Sequence, residues 1–488
     1  MEPTRFHDIT KHSPRSLRRR ARPLDWSNKP HPFKDYFDLL PIPLPVPSPG
    51  TDMPALLAVT EALGEKRALG LEEVARILIR GTGVLRERLY PDGERFHFRT
   101  YASAGALYPI EVYIACTGLD GIDPGLYHFH PLEKALRQVR GGDVRPHLVR
   151  ATGGRDSVAR APATVLLSGI PWRTTWKYHA RGYRHLFWDA GMIVANILAL
   201  AASGGHVAEV VVGFVDRDLD ELLGLDGRNE MTLAALPLGF DEPGLEPASA
   251  TAERASPIRH RSRILSSEQR DYPEIHGVHE ATSLADGEQA AEWGIRAQHS
   301  EHRHDRIPCP DGVERVIRRR GSSRAFKEAA LPDREVFVIL ERAFRRLSGD
   351  WGPPVIRADL LVHTLTELEP GAYRFQNSRV EQLSRGNVRD LGRWLCLEQP
   401  LGGDAAITCF LMTNLATTIA HLGARGYRAA LFEAGIVAGR IYLGAYACRF
   451  GATGLTFYDD EVRRVFKTPD EPMLVVAMGR PAEGLRVM

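Results

Sequence analysis

The stretch TTWKYHARGYRHLFWDAG, Thr174 to Gly191, returns in altered form as TIAHLGARGYRAALFEAG, Thr418 to Gly435. Tyr183 answers to Tyr427, and 427 − 183 = 244 sets the offset between the two. The same offset, within a few residues, relates ATVLLSG (from Ala163) to AITCFLM (from Ala406), and GLYHFHPLEKALRQV (from Gly125) to GAYRFQNSRVEQLS (from Gly371). Each half then closes with an acidic helix start, VDRDLDELLGL or YDDEVRRVF, and an apolar strand, LAALPLG or MLVVAMG. Four matches in one order identify an internal duplication. At 488 residues the chain exceeds what one hydrophobic core organises. It must therefore fold as two similar units.

Each half reads as α+β. In YRHLFWDAGMIVANILALAA, Leu186, Ala190, Ile193, Val194, Ile197 and Ala201 fall at helical spacing. The segment is apolar nearly all round, which predicts a helix buried between layers or against the other half. GLYHFHPLEKALRQV reads as a hairpin, two short aromatic or branched runs about a polar turn. The chain divides into a lead-in over 1–50, a first domain over 51–240, a linker over 241–310 and a second domain over 311–488. The linker is rich in Glu, Arg, His and Ser. Apart from the helical SLADGEQAAEWGI it lacks apolar periodicity, so it is expected to wrap rather than form a core.

Composition narrows the function classes. A net charge of +2 offers no global argument for nucleic acid or a membrane. MEPTRFHDITKHSPRS lacks the apolar region of a signal peptide. No uninterrupted apolar run approaches the roughly 20 residues that span a bilayer. A cytoplasmic protein is expected. The five cysteines, Cys116, Cys309, Cys396, Cys409 and Cys448, form neither a CxxC pair nor a disulfide framework. Cys116 and Cys409 read as buried, inert thiols. No metal is expected, since HSEHRHD, His299 to Asp305, has no second ligand group and reads as solvated linker. The basic run SLRRRARP, Ser16 to Pro23, reads as a solvated arm, with docking of an acidic leader peptide or partner as the alternative.

Several separate motifs carry a resemblance. RTYASAGALYPIEVY (Arg99 to Tyr113), GLYHFHPLEKAL and WKYHARGYRHLFWDAG resemble the flavin-dependent nitroreductase superfamily, specifically its SagB/ThcOx-type dehydrogenase branch. The opening HDITKHSPRS…RPLDWSNKPHPFK is similar to that branch's lead-in. In the second half, RGSSRAF (Arg320 to Phe326) resembles the superfamily's flavin-phosphate segment, and GATGLTFYDDEV its loop at the flavin ring. The resemblance implies a mostly antiparallel sheet flanked by helices, and a dimer with FMN where the subunits meet. A duplicated chain would fold that dimer onto itself about a pseudo-twofold.

The halves are complementary. In RGSSRAF, Arg320 and Arg324 are expected to make charge-assisted bonds to phosphate, with Ser322 adding a donor. The first half keeps no such pattern near LGEKRALGLEEVARIL. It keeps SAGALYP, and the resemblance implies cofactor contacts from Arg99, Ser103, Ala104 and Gly105, whose small members let backbone approach a flat ring. Nothing equivalent is readable near DWGPPVIRADLL. The family draws these two parts from different subunits, so one FMN per chain is expected, with the reciprocal site vestigial. Thr453 and Gly454 are expected beside the flavin, a backbone N–H reaching its N5. Arg480 or Arg486 is expected to add charge at the phosphate.

Lys177 and Tyr178 face His421 and Leu422 across the repeat. In azoline-oxidising members of the branch a Lys-Tyr pair at this position is catalytic, which makes these two the candidate catalytic residues. Oxidising a thiazoline or oxazoline to the azole removes one ring proton and passes a hydride to flavin N5. A desolvated lysine can serve as base, and a tyrosine hydroxyl can position it or relay the proton. Tyr183 and Arg184 recur in both halves and read as structural, with this arginine expected to bridge the following acid, Asp189 or Glu433. Three functions follow. The first is an FMN-dependent dehydrogenase making azoles in a ribosomally synthesised peptide, with oxygen reoxidising the flavin, possible company of a cyclodehydratase included. The second is an FMN oxidoreductase, NAD(P)H-dependent reductases included, on a small-molecule or carrier-bound substrate. The third is a scaffold subunit, against which the retained Lys-Tyr pair argues.

Overall fold

The computed structural model describes residues 1–20, 23–48, 50, 53–91, 93–241, 245–294 and 309–482. Two 22-residue helices, Gly182–Ser203 and Gly426–Ala447, lie together at its centre with every residue buried. A helix buried all round needs no polar face, which is why the repeat is apolar on every side. They cross at the glycines of the repeated DAG and EAG. A Cβ on Gly191 would stand 2.6 Å from the Gly435 carbonyl carbon, and one on Gly435 2.5 Å from the Trp188 oxygen. The stretch Pro171–Ser203 contains an 18-residue window apolar enough to cross a membrane, and here that window is wholly buried in the fold.

Each half sets an antiparallel sheet beside this pair. The first runs in the order Pro41–Pro43, Ala135–Gly141, Gly125–His130, Ile110–Cys116, Ala163–Gly169, Met231–Leu238. The second runs Arg379–Arg385, Gly371–Gln376, Arg357–Val362, Ile407–Thr413, Glu471–Pro481, Gly451–Leu455, with Phe326–Lys327 added on Glu471–Pro481. Every neighbouring pair is antiparallel. The expected α+β pseudo-dimer is the fold observed.

Exchanged charges hold the halves together. Arg181 and Arg184 of the first half both pair with Asp459 of the second, each at 2.9 Å. Arg425 and Arg428 pair with Asp216 of the first half. The expected bridges within each helix, to Asp189 or Glu433, do not form, because those acids hold loops instead. The N-terminal helix Pro3–Ile9 lends the Thr10 hydroxyl to Arg184 (3.0 Å), and Pro273–Ala281, inside the presumed linker, is followed by Thr282, which does the same for Arg428 (2.6 Å). HDIT, from His7, and HEAT, from His279, are thus counterparts, and the internal symmetry reaches into the segment read as a wrap.

The cysteine reading needs one correction. Cys309 and Cys448 form a disulfide across 139 residues of sequence. No spacing rule reveals such a pair, since packing of the linker's last residues against the end of the second central helix creates it. Cys116, Cys396 and Cys409 are free and buried, and burial pushes the Cys116 thiol up to about 12. His299–Asp305 and Arg486 lie outside the described residues.

Candidate functional site

The SAG turn lies against the Lys-Tyr pair. Gly105 adopts φ +62°, and a Cβ there would stand 2.9 Å from Tyr178 Oη and 3.3 Å from Lys177 Nζ, so glycine is what allows both side chains to converge. The turn is clasped from the first central helix, where Asp189 accepts bonds from the Ser103 hydroxyl and from the Ala104 N–H at 3.2 Å. Burial depresses the Lys177 ammonium below its usual range. Burial and then the Asp189 charge raise the Tyr178 phenol. The Tyr178 ring stacks on His185 at 4.3 Å, and Lys177 Nζ stands 5.4 Å from its centre. In the second half Leu422 and Ala429 occupy the positions of Tyr178 and His185, which removes the stack.

The phosphate-type segment of the second half reaches this turn. Arg320 donates to the carbonyls of Thr100 (3.0 Å) and Arg99 (3.1 Å), immediately before the SAG turn. The Ser323 N–H donates to the Ala452 carbonyl at 3.0 Å, joining RGSSRAF to the strand that carries Thr453 and Gly454. The two parts read as complementary are thus brought together across the halves. Several details depart from expectation. The Gly454 N–H donates to Tyr442 Oη at 2.6 Å, a committed donor rather than one free for a ring nitrogen. Ser322 meets the same phenol at 3.3 Å. The Arg99 guanidinium clasps the lead-in through the Pro32 carbonyl at 2.7 Å, which makes it a structural cation. Thr453 is buried in its strand. Arg480 stands over the Phe450 ring.

A phosphate-bearing flat cofactor fits these residues. Arg320 is a buried cation that no carboxylate among the described residues pairs, and burial lowers its pKa. Arg324 and Ser322 are exposed beside it. The buried Ser323 hydroxyl has no hydrogen-bond partner, an expense that a bound acceptor would remove.

At the reciprocal position the chain makes contacts of its own. Val210, the counterpart of Gly454, donates its N–H to the Ser348 carbonyl at 2.7 Å, and its carbonyl accepts from Asp350 at 3.1 Å. The Asp350 carboxylate accepts from the Val212 and Gly213 N–H groups. Glu433, the counterpart of Asp189, accepts from Trp351 Nε1 at 2.6 Å. Trp293, from the linker, covers Gly213 and donates to the Leu422 carbonyl at 2.8 Å.

A nitroreductase-family model matches residues 65–240 and again 317–480. The chain belongs to the nitroreductase family. It is 29% identical over 171 residues to the nitroreductase-type protein MJ1384 of Methanocaldococcus jannaschii, across 35% of this chain and 81% of that one. It is 30% identical over 148 residues to the microcin B17-processing protein McbC of Escherichia coli, across 29% of this chain and 53% of McbC, about half that relative's length. The likeness to McbC agrees with the branch that the motifs resemble. Its structure matches a crystallised nitroreductase of Anabaena variabilis with a TM-score of 0.78 at 24% identity, over 98% of this chain and 99% of that one. The doubled fold is therefore shared end to end.

Asp189 is the site residue that sequence reading assigned elsewhere. Its repetition as Glu433 was the available signal. Burial raises its carboxyl to about 7, against a usual value near 3.8. A carboxyl raised on folding contributes stability that is full below its unfolded pKa and is lost as pH rises through the folded one. Melting temperatures from pH 4 to pH 8 should thus fall more for the native chain than for Asp189→Asn. Parallel curves would show that the Asp189 carboxyl titrates normally.

Proposed function

We propose that the chain is an FMN-dependent dehydrogenase that oxidises azoline rings to azoles in a ribosomally made peptide. One FMN would be held between the SAG turn of the first half and RGSSRAF of the second. The observation that carries this reading is the convergence of Lys177 Nζ and Tyr178 Oη on Gly105, in the one half whose turn the buried Arg320 reaches. The likeness to McbC, a microcin B17-processing protein, supports a peptide substrate, and action beside a cyclodehydratase is part of the same proposal.

Arg320, Ser322, Ser323 and Arg324 would hold the phosphate, and the SAG turn would lie along the ring. Bound there, FMN supplies the hydride acceptor. Lys177, made less basic by burial, takes the proton from the azoline carbon as a neutral amine. Tyr178, fixed by its stack on His185, keeps its proton and orients the Lys177 amine. Asp189 holds the turn to which both reach.

The test is flavin content. The purified protein should release one FMN per chain, because the SAG turn and RGSSRAF each occur in only one half. Arg320→Ala should weaken FMN binding by about 10- to 100-fold, the usual worth of a charged hydrogen bond. Two flavins per chain, or undiminished affinity in Arg320→Ala, would refute the composite site.

A further inference from the structure

The second central helix differs from the first on the face that meets RGSSRAF. Tyr442 and Tyr446, one turn apart, stand where the first helix has Leu198 and Ala202 by the repeat. Both phenols reach the segment. Tyr446 Oη would lie 3.6 Å from a Cβ on Gly321, and Tyr442 Oη meets the Ser322 hydroxyl at 3.3 Å. The same Tyr442 oxygen accepts the Gly454 N–H at 2.6 Å, from the strand Gly451–Leu455. One phenol, 2% exposed, thus joins the two segments that the second half brings to the candidate site. The half that lacks RGSSRAF has no hydroxyl at that place.

Hydroxyl chemistry fixes the direction of these bonds. A phenol has one proton to give, and burial raises the pKa of this one, so it stays a donor. Its oxygen already accepts from Gly454, and among the described residues Ser322 Oγ is the acceptor within its reach. The Tyr442 proton therefore goes to Ser322, which leaves the Ser322 proton for an acceptor outside the chain. Ser322 is exposed, so that proton is open to whatever enters the site. Each donation polarises the next, which strengthens the last donor in the series. Arg320, 5.9 Å from the Tyr442 ring centre, makes the phenol a better donor by its charge.

We propose that Tyr442 is a positioning residue of the cofactor site, which fixes the Ser322 hydroxyl as a donor to the FMN phosphate. It acts through Ser322 and need not touch the phosphate. The proposal deepens the reading above and rests on it in taking FMN as the ligand.

The test compares FMN with riboflavin, which has the same ring and ribityl chain and no phosphate. The full-length chain loaded with either flavin is diluted, and the recovery of flavin fluorescence gives each dissociation constant. Ser322→Ala should weaken FMN binding by about 10-fold or more, the worth of a hydrogen bond to a charged group. Tyr442→Phe should weaken it by about 3- to 10-fold, the worth of a neutral one. The double variant should bind FMN no more weakly than Ser322→Ala, because the phenol acts only through that hydroxyl. Riboflavin should bind all three variants as it binds the native chain. Tyr442→Leu, which installs the residue of the first helix, gives the same comparison should the phenylalanine variant not fold. Equal losses for FMN and riboflavin would make Tyr442 a structural contact only and overturn the proposal, as would losses that add in the double variant. Undiminished FMN affinity in Tyr442→Phe would overturn this proposal alone. A native chain that binds neither flavin would overturn the FMN reading with it.

Discussion

Replacing Lys177 by alanine should reduce azoline oxidation by about 10²- to 10⁴-fold, the range for loss of a positioned base, while flavin per chain stays unchanged. The expectation rests on position and environment together. Lys177 Nζ lies where a Cβ on Gly105 would meet it at 3.3 Å, and burial alone lowers its pKa from the usual 10.5. No carboxylate among the described residues pairs with it to restore the charge. A base must be neutral to act, so the native rate should rise with pH and level off at an inflection below 10.5. Arginine at 177 should not restore activity, because guanidinium stays protonated. Tyr178→Phe should lose less, since the stack on His185 survives without the hydroxyl. His421→Ala, at the counterpart in the second half, should be without effect on azoline oxidation. Lys177→Ala that still oxidises azolines at the native rate would remove the catalytic assignment of Lys177, whereas a native chain that oxidises none would move a reductase reading forward.

Asp459→Ala should be among the most destabilising single substitutions in the chain. Asp459 is fully buried and receives Arg181 and Arg184, both themselves fully buried. Removing one partner of a buried pair strands the remaining charge and costs about 3–5 kcal/mol. Here two cations are stranded, and Thr10, which also meets Arg184, loses its setting. Asp216→Ala should act alike through Arg425 and Arg428. Both arginine pairs hold their acid's pKa below the usual carboxylate range. The stability they contribute is therefore present above the unfolded pKa near 3.8 and is lost as pH falls through the folded value. Denaturant midpoints of the two variants, measured from pH 3 to pH 7, check this. A loss below about 1 kcal/mol, the worth of a surface pair, would mean that the exchanged acids do not hold the halves together.

The duplication, the central helices, the hairpins and both complementary motifs were legible because each is local. Helical spacing in YRHLFWDAGMIVANILALAA and the polar turn in GLYHFHPLEKALRQV are set by neighbours a few residues away. Gly191 and Gly435 were visible as a repeated letter, but that they are the helix crossing emerges only from the fold, where a Cβ on Gly191 would stand 2.6 Å from the other helix's backbone. The pairing of Arg184 shows the limit. Spacing placed it near Asp189, one and a half turns on, yet Asp459 receives it because the pseudo-twofold brings a buried acid from the other half.

The sequence by itself determined that two α+β copies share one chain, and that each lacks what the other retains. Repetition and loss are properties of order along the chain, so they need no coordinates. Tertiary structure alone decided the rest: the Cys309–Cys448 bond, the clasp of Asp189 on the SAG turn, the commitment of the Gly454 N–H to Tyr442, and the contacts of Val210 with Ser348 and Asp350. Each joins residues far apart in sequence. Which donor meets which acceptor is then fixed by the packing of the two halves, because a buried polar group must take the partner that packing brings to it.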